Sequence, residues 1–452
     1  SFQTQVAWLA CFATTLLVSR TILSILFTRR TLYFLSRRGA SLTTSLFSKL
    51  LSQSLMGIQK KSNQETLYAL TNGVSVIMIG ILGSVVSVVS DVALLVVLSL
   101  GIFIVDPTTA IFVFAMFGMM GILMYRSLHG RVRKLGLEDY KLTVASNERI
   151  LEVLNSYRET VVKNRRSFYA SEIDGLRQRL ANVLAELSFV PYISKYVIET
   201  AVVIGAVAIG GFQFLINDAN RAVATLAIFL AAGTRIAPAV LRVQQGAILI
   251  RGNLAVASPT LDLIESLNNL SVRTSKVEPI QYSHEGFVPQ VVLKDISFTY
   301  PESEVFALKD INLEINSGES VVFVGPSGAG KTTIVDVLLG VIEPNAGSIS
   351  ISGLRPSETV AKWSGAVAYV PQDVVITNST IKENVCMGFE SSSVNESLIW
   401  EALEIAQLKE FVEGLPSGLD TYVGDRGAQI SGGQRQRLGI ARAMLTKPQL
   451  LF

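Results

Sequence analysis

Charge is scarce in this 452-residue chain: Asp, Glu, Lys and Arg make up only 17% of it, against roughly 25% in an ordinary soluble domain. The net charge of +3 supplies no basic surface that would argue for nucleic acid. Cysteine is scarcer still. Cys11 and Cys386 lie far apart in surroundings of opposite polarity, which excludes a disulfide framework and fits a reducing compartment for the polar half. The N-terminus has neither a basic segment nor a small-residue cleavage site, so no signal peptide is read there.

What the chain has instead is apolar residue. They make up 49% of it, the mean hydropathy is +0.44, and most of the excess lies before about residue 250. The division reads as a membrane domain over residues 1–255, a polar linker over 256–289 and a soluble domain over 290–452. A spanning helix needs roughly 20 mostly apolar residues. Candidates are Thr4 to Phe27, Val74 to Val105, Thr109 to Tyr125, Val197 to Leu215 and Ala222 to Ile250.

Cations orient these spans. Arg29, Arg30, Arg37, Arg38, Lys49, Lys60 and Lys61 precede the second span, and Arg126, Arg131, Arg133 and Lys134 follow the third. Both flanks are cytoplasmic by the positive-inside rule. Val74 to Val105 is then one crossing, and the cation-free turn Asp106 to Thr109 faces outward, as does Asn217 to Asn220. Five crossings place the soluble half in the cytoplasm and the N-terminus outside. The odd count raises the expectation of a further helix upstream. The long polar stretch Ser146 to Asn164 has apolar residues at helical spacing. It reads either as a solvated stalk or as a contact surface for the soluble half.

Four cations stand in or beside apolar segments: Arg20, Lys195, Arg235 and Arg242. Arg235 and Arg242 are almost two helical turns apart and share a face. A cation inside a bilayer costs from about 2.5 kcal/mol upward and turns to a cavity or a partner. Lys195 and Arg242 have the option of snorkelling, and Glu199 of pairing with Lys195 one turn away. The other reading is a cavity for an anionic head group, which guanidinium forks suit.

The soluble half carries GPSGAGKT, Gly325 to Thr332, between an apolar stretch Val321–Val324 that predicts a buried strand and an IVDVLLG run that predicts a helix. In this context the glycines free backbone N–H groups to face phosphates, and the helix start adds its positive end. Lys331 is expected at the β and γ phosphates and Thr332 at Mg2+. Further on, ISGGQ offers a second anion-binding helix start, capped by Ser431 and opened by Gly432 and Gly433.

These motifs resemble those of the ATP-binding cassette (ABC) family. Gly325, Pro326, Ser327, Gly328, Ala329, Gly330, Lys331 and Thr332, with Thr333 beside them, match Walker A. Ile430 to Gln434 matches the LSGGQ signature, so that Ser431, Gly432, Gly433 and Gln434 are implied nucleotide contacts. Gln372 in VPQD matches the Q-loop glutamine, a second Mg2+-side group, and Tyr300 in FTYP the aromatic that stacks on adenine. TYVGDRG, Thr421 to Gly427, is similar to an exporter motif, with Asp425 for Glu.

The resemblance implies an all-α transmembrane domain of the type I exporter kind, a six-helix pattern less its first helix, followed by an α/β P-loop domain. Its coupling helices would lie around Gly57 to Leu67 and within Ser146 to Asn164. LLF at Leu450 to Phe452 looks like the Walker B strand broken off before its acids, and both histidines, His129 and His284, lie upstream. The expectation is therefore a cut before the catalytic Glu and switch His, with Lys331 and Gln372 as the catalytic groups within the chain.

The implied activity is ATP-driven export by alternating access. A homodimer would enclose two ATP molecules between Walker A of one cassette and the signature of the other, in a bacterial inner membrane. The four cations resemble those of flippases for lipid-linked oligosaccharides, which implies membrane lipids and a polyprenyl pyrophosphate as partners and no nucleic acid. A general lipid or multidrug exporter is the alternative, and an ATP-gated channel a further one.

Overall fold

The computed structural model describes residues 2–216, 219–268, 270, 280–301, 303–424, 427 and 429–452, with some helix side chains excepted. Part of the linker, the outward turn at Asn217 and Asp425 lie outside the described residues. The chain divides into two units: residues 1–53 with 58–273, and Ser54–Gly57 with Thr274–Phe452.

The first unit is helical throughout. In chain order the elements up to the linker are α1 (Phe2–Leu51), α2 (Leu55–Gln59), whose residues up to Gly57 belong to the second unit, and α3 (Asn63–Tyr68), then two π-helical stretches (Ala69–Gly73 and Val76–Gly83). α4 (Ser84–Val105), α5 (Pro107–Asn155), α6 (Tyr157–Val162), α7 (Arg166–Ile216), α8 (Ala219–Val256) and α9 (Ser258–Leu267) follow. Ser62 and Glu65 form a capping box that starts α3. Asp106 leaves helical geometry at φ −148° and accepts the Thr108 N–H at 3.0 Å, which turns the chain into the proline that opens α5. The stretch Ser146 to Asn164 is helical but not one rod. α5 ends at Asn155, and α6 closes on Asn164 with a φ of 54°.

Three described runs are long and apolar enough to cross a membrane: Asn63–Ile104, Ala110–Asn155 and Arg166–Leu215. A fourth results if Gly233–Val256 and Ser258–Leu267, bent by 57°, count together. The predicted crossing Thr4 to Phe27 falls within α1, and Ala222 to Ile250 within α8. α5 packs on α7 and α8, and α4 on α8. Val113, Phe117, Ile198, Phe229 and Ile236 form a buried apolar layer between them. Outward-facing Val97, Ile104 and Val207 stay more than half exposed, as lipid-facing residues do. α5 and α8 approach closely at two glycines. A Cβ on Gly136 would stand 2.7 Å from the Gly252 carbonyl oxygen, and one on Gly252 would stand 2.9 Å from Val132 Cγ1.

The second unit is built on β1 (Val291–Thr299), β2 (Phe306–Ile315), α10 (Lys331–Leu338), β3 (Ala346–Ile351), α11 (Pro356–Lys362) and β4 (Val367–Ala368). It continues with α12 (Ile381–Val385), α13 (Glu396–Ile405), α14 (Lys409–Glu413), α15 (Gly432–Met444) and β5 (Leu450–Leu451). β2, β1 and β3 form an antiparallel sheet in that order, and β4 and β5 pair in parallel. Alternating residues of β1, Val291 and Leu293, are buried with Val337 and Leu338 of α10. Leu55 and Met56 pack on the same cluster. A second core of Val385, Ile399, Leu403, Val412 and Leu438 holds α12 to α15 together. The Cys386 thiol lies in that core, and burial pushes its pKa up.

The predicted strand at Val321–Val324 is a correction. No strand forms there: Val322 is 81% exposed and Val324 90%. A strand exists through its ladder, and among the described residues no neighbouring strand pairs with this segment. The helix expected after the P-loop does form, and it stops at Gly340, whose φ is +69°.

The close approach of α5 and α8 makes Gly136→Leu destabilising by about 1–3 kcal/mol through overpacking. Gly175→Ala in α7, where an added Cβ meets nothing within 4 Å, is expected to stabilise by about 0.5–1 kcal/mol. Apparent melting temperatures of the two variants in detergent should move in opposite directions.

Candidate nucleotide site and intramembrane cations

The P-loop takes its form from two left-handed glycines. Gly328 has a φ of +84° and Gly330 of +85°, a region that costs an L-residue roughly 1–2 kcal/mol. At Gly330 there is also no room, since a Cβ would lie 2.6 Å from the Ala307 carbonyl oxygen in β2. Gly330 caps α10 without spending a side chain, so Lys331, Thr332 and Thr333 begin the helix with free amides. The only turn bonds within the loop run from the Ala329 N–H to Pro326 O and from the Ile334 N–H to Gly330 O. The Ser327 and Gly328 amides are likewise unspent.

Lys331 folds over this cradle. Its Nζ donates at 2.8 Å to the carbonyl oxygens of both Gly325 and Pro326. An ammonium above a ring of unpaired N–H groups is the chemistry of a polyphosphate site, and the donor set fits ATP. Thr332 is exposed in the first turn of α10, whereas Thr333 is buried, with its hydroxyl 3.0 Å from the Tyr300 hydroxyl. Thr333 therefore offers its amide and uses its side chain as a tether. Tyr300 packs edge-on against Phe298 with ring centroids 5.0 Å apart and remains 37% exposed.

The second helix start is built differently. Ser431 accepts the Gln434 N–H at 3.2 Å, and Gln434 Oε1 accepts the Ser431 N–H at 2.7 Å. This reciprocal cap spends the side chains of both residues and leaves the Gly432 and Gly433 amides open. A Cβ on Gly433 would meet nothing within 4 Å.

Gln372 is exposed in a bend beyond β4. The segment just after it is fastened to α15 by residues that motif reading missed. Arg442 donates from Nη2 to Val375 O and from Nε to Asn384 O, each at 3.0 Å. Burial lowers the Arg442 pKa, and these carbonyls receive its guanidinium. At Gly439 a Cβ would stand 2.5 Å from Val374 Cγ2, so only glycine allows the contact. The small and basic residues of GIARAM were the available signal. His284 is structural: its ring is buried, with Nε2 3.1 Å from Thr446 O.

Of the four cations in or beside apolar segments, two have a carboxylate partner. Lys195 pairs with Glu199 at 3.9 Å within α7. Arg242 pairs with Asp91 of α4 at 2.8 Å, and the Asp91 side chain is only 15% exposed. Asp91, which interrupts an apolar span in sequence, is thus the counter-ion of Arg242. Arg20 and Arg235 are exposed and carry no ion pair among the described residues.

Because Gly330 has neither the backbone freedom nor the space for a side chain, Gly330→Ala should abolish ATP binding. Titration with a fluorescent ATP analogue checks this, and retained affinity would disprove the cradle.

Residues 308–452 match the family described as ABC transporter. A multidrug resistance ABC transporter ATP-binding and permease protein of Lactococcus lactis is 42% identical over 161 residues, 35% of this chain and 27% of that protein. An ATP-dependent lipid A-core flippase of Chromobacterium violaceum is 44% identical over 158 residues, again 35% of this chain and 27% of that protein. The chain thus matches less than a third of the length of these curated relatives. The solved structure of a bacterial Atm1-family ABC exporter with ATP bound shares the fold at a TM-score of 0.72 and 21% identity, covering 92% of this chain and 72% of that one. Two amide-lined helix starts, one P-loop lysine and these matches lead to one conclusion: residues 308–452 are an ABC transporter ATP-binding domain, joined in one chain to membrane helices with the fold of an ABC exporter.

Proposed function

We propose that the full-length protein is an ATPase that exports or flips an amphipathic substrate across the membrane by alternating access. The observation that carries this reading is the pair of unspent helix starts in one cassette, at Lys331 and at Gly432. One chain supplies one P-loop and one signature helix. A two-fold homodimer supplies two of each, and closed two-fold symmetry is the commonest arrangement for such a pair. Each P-loop would then face the partner's signature helix across a nucleotide.

Among the described residues no cluster of three His, Cys, Asp or Glu is placed to hold a metal. Thr332 and Gln372 are neutral oxygen ligands. Such a set fits Mg2+ that arrives on the nucleotide's phosphates, because Mg2+ needs few protein ligands there. Bound Mg2+ supplies charge neutralisation at the phosphates. Lys331 and the P-loop amides hold and orient them. Membrane coupling falls in this reading to the segments around Gly57 to Leu67 and within Ser146 to Asn164, and the cassette lies on the cytoplasmic side of a bacterial inner membrane.

For the substrate, the relatives' names include a multidrug resistance transporter and a lipid A-core flippase. An anionic head group is supported by Arg20 and Arg235, the two of those four cations that carry no ion pair among the described residues. A polyprenyl-pyrophosphate-linked oligosaccharide is the narrowest form of that reading. Lys195 and Arg242 have less to offer it, since each already has a carboxylate.

In the full-length protein, Lys331→Ala should abolish ATP-driven transport in proteoliposomes while leaving assembly intact; undiminished transport would exclude the mechanism. Arg20→Gln with Arg235→Gln should cut transport of a pyrophosphate-bearing lipid at least about tenfold and leave basal ATP hydrolysis unchanged. Equal transport by this double variant removes the anion-recognition role and leaves the general exporter reading standing.

A further inference from the structure

The helical unit has an open cavity of about 420 Å3 bounded by α3, the π-helical stretches, α5, α7 and α8. That volume lies within the range of small-molecule sites. Its chemistry is one-sided. Asp139 is the only charged residue in the lining, and no Lys, Arg or His joins it. Asp139 is partly buried and makes no ion pair among the described residues. Among the described residues the Thr143 hydroxyl donates to it at 3.5 Å, too long to satisfy a carboxylate. A charge partly withdrawn from water is costly, and no cation in the wall offsets that cost.

The remaining polar groups can both donate and accept. Tyr68, Asn72, Ser75, Thr143 and Asn253 bring hydroxyl and amide groups to the lining, and none of them carries a positive charge. Pro191, inside α7, has no N–H, so the Leu187 carbonyl one turn earlier loses its helical donor. Both residues line the cavity. The Pro191 carbonyl is already engaged by Gln245 Nε2 at 3.2 Å. Beside these groups the wall is aliphatic, with Val132 and Ile248 both buried.

A carboxylate that meets no cation in the wall calls for one on a ligand, the neighbouring amide and hydroxyl oxygens can accept its further N–H groups, and the aliphatic wall suits an apolar body. We propose that this cavity binds a primary alkyl- or arylalkylammonium ion, its head group paired with Asp139 and its body against Val132 and Ile248. The site is separate from the P-loop and from Arg20 and Arg235. It does not depend on the transport reading, because occupancy is measurable without ATP. A primary ammonium has two sources, a soluble amine or the head group of phosphatidylethanolamine.

The test uses the full-length protein in phosphatidylcholine nanodiscs, with phenethylammonium as probe and calorimetry without nucleotide as readout. Saturable binding is expected, weakened about tenfold or more by Asp139→Asn, since hydrogen bonds to charged groups carry that much. Asp174→Asn, an exposed carboxylate change on α7, should leave affinity unchanged. Should Asp139→Asn fail to fold, Ser75→Trp fills the cavity, keeps the carboxylate and should also remove binding. Weaker phenethylammonium binding in phosphatidylethanolamine discs would identify the lipid head group as the competing ligand. Unchanged binding there would identify a soluble amine, and both results keep the ammonium site. Absence of saturable binding, equal affinity of either cavity variant, or equal affinity for neutral phenethyl alcohol overturns the proposal.

Discussion

Backbone N–H groups left unspent at the start of a helix are what the cassette is organised to keep. Every other buried amide in a fold is drawn into a ladder, a turn or a cap. At α10 this is avoided by a glycine in left-handed geometry, which caps without a side chain. At α15 it is avoided by a serine and a glutamine that satisfy one another and leave two glycine amides between them. Both devices yield the same product, a concentrated positive dipole with steric access for an anion. The surrounding structure serves to hold these helix starts. β2 blocks any side chain at Gly330, Thr333 anchors α10 to Tyr300, and Arg442 fastens α15 to the segment beyond Gln372.

In the helical unit the governing constraint is the reverse one, the cost of charge in a poorly solvated place. Arg242 and Asp91 answer it by pairing across two helices, Lys195 and Glu199 within one. Among the described residues Arg20, Arg235 and Asp139 form no such pair.

The nucleotide site was legible because its determinants are contiguous. Eight residues from Gly325 to Thr332 set the loop geometry through their own φ preferences, and five from Ile430 to Gln434 set a capped helix start. Long apolar runs were legible for the same reason, since span length is a local count. The division of Ser146 to Asn164 at Ser156 was not, because both sides of the break have helix-forming periodicity. Val321–Val324 misled the reading. Four apolar residues satisfy the composition of a strand, but a strand is made by its neighbours, and none pairs there among the described residues.

What the sequence determined by itself is therefore local: which segments are apolar enough to span, where an anion-binding loop begins, and which residue types stand in it. What the tertiary structure decided is which distant groups meet. Asp91 and Arg242 lie 151 positions apart, Val375 and Arg442 lie 67 apart, and Asp139 shares a wall with Asn253. The physical reason is range. Backbone preference acts over a few bonds, whereas ion pairing, helix contact at a glycine and desolvation of a carboxylate depend on separations in space that no local pattern records.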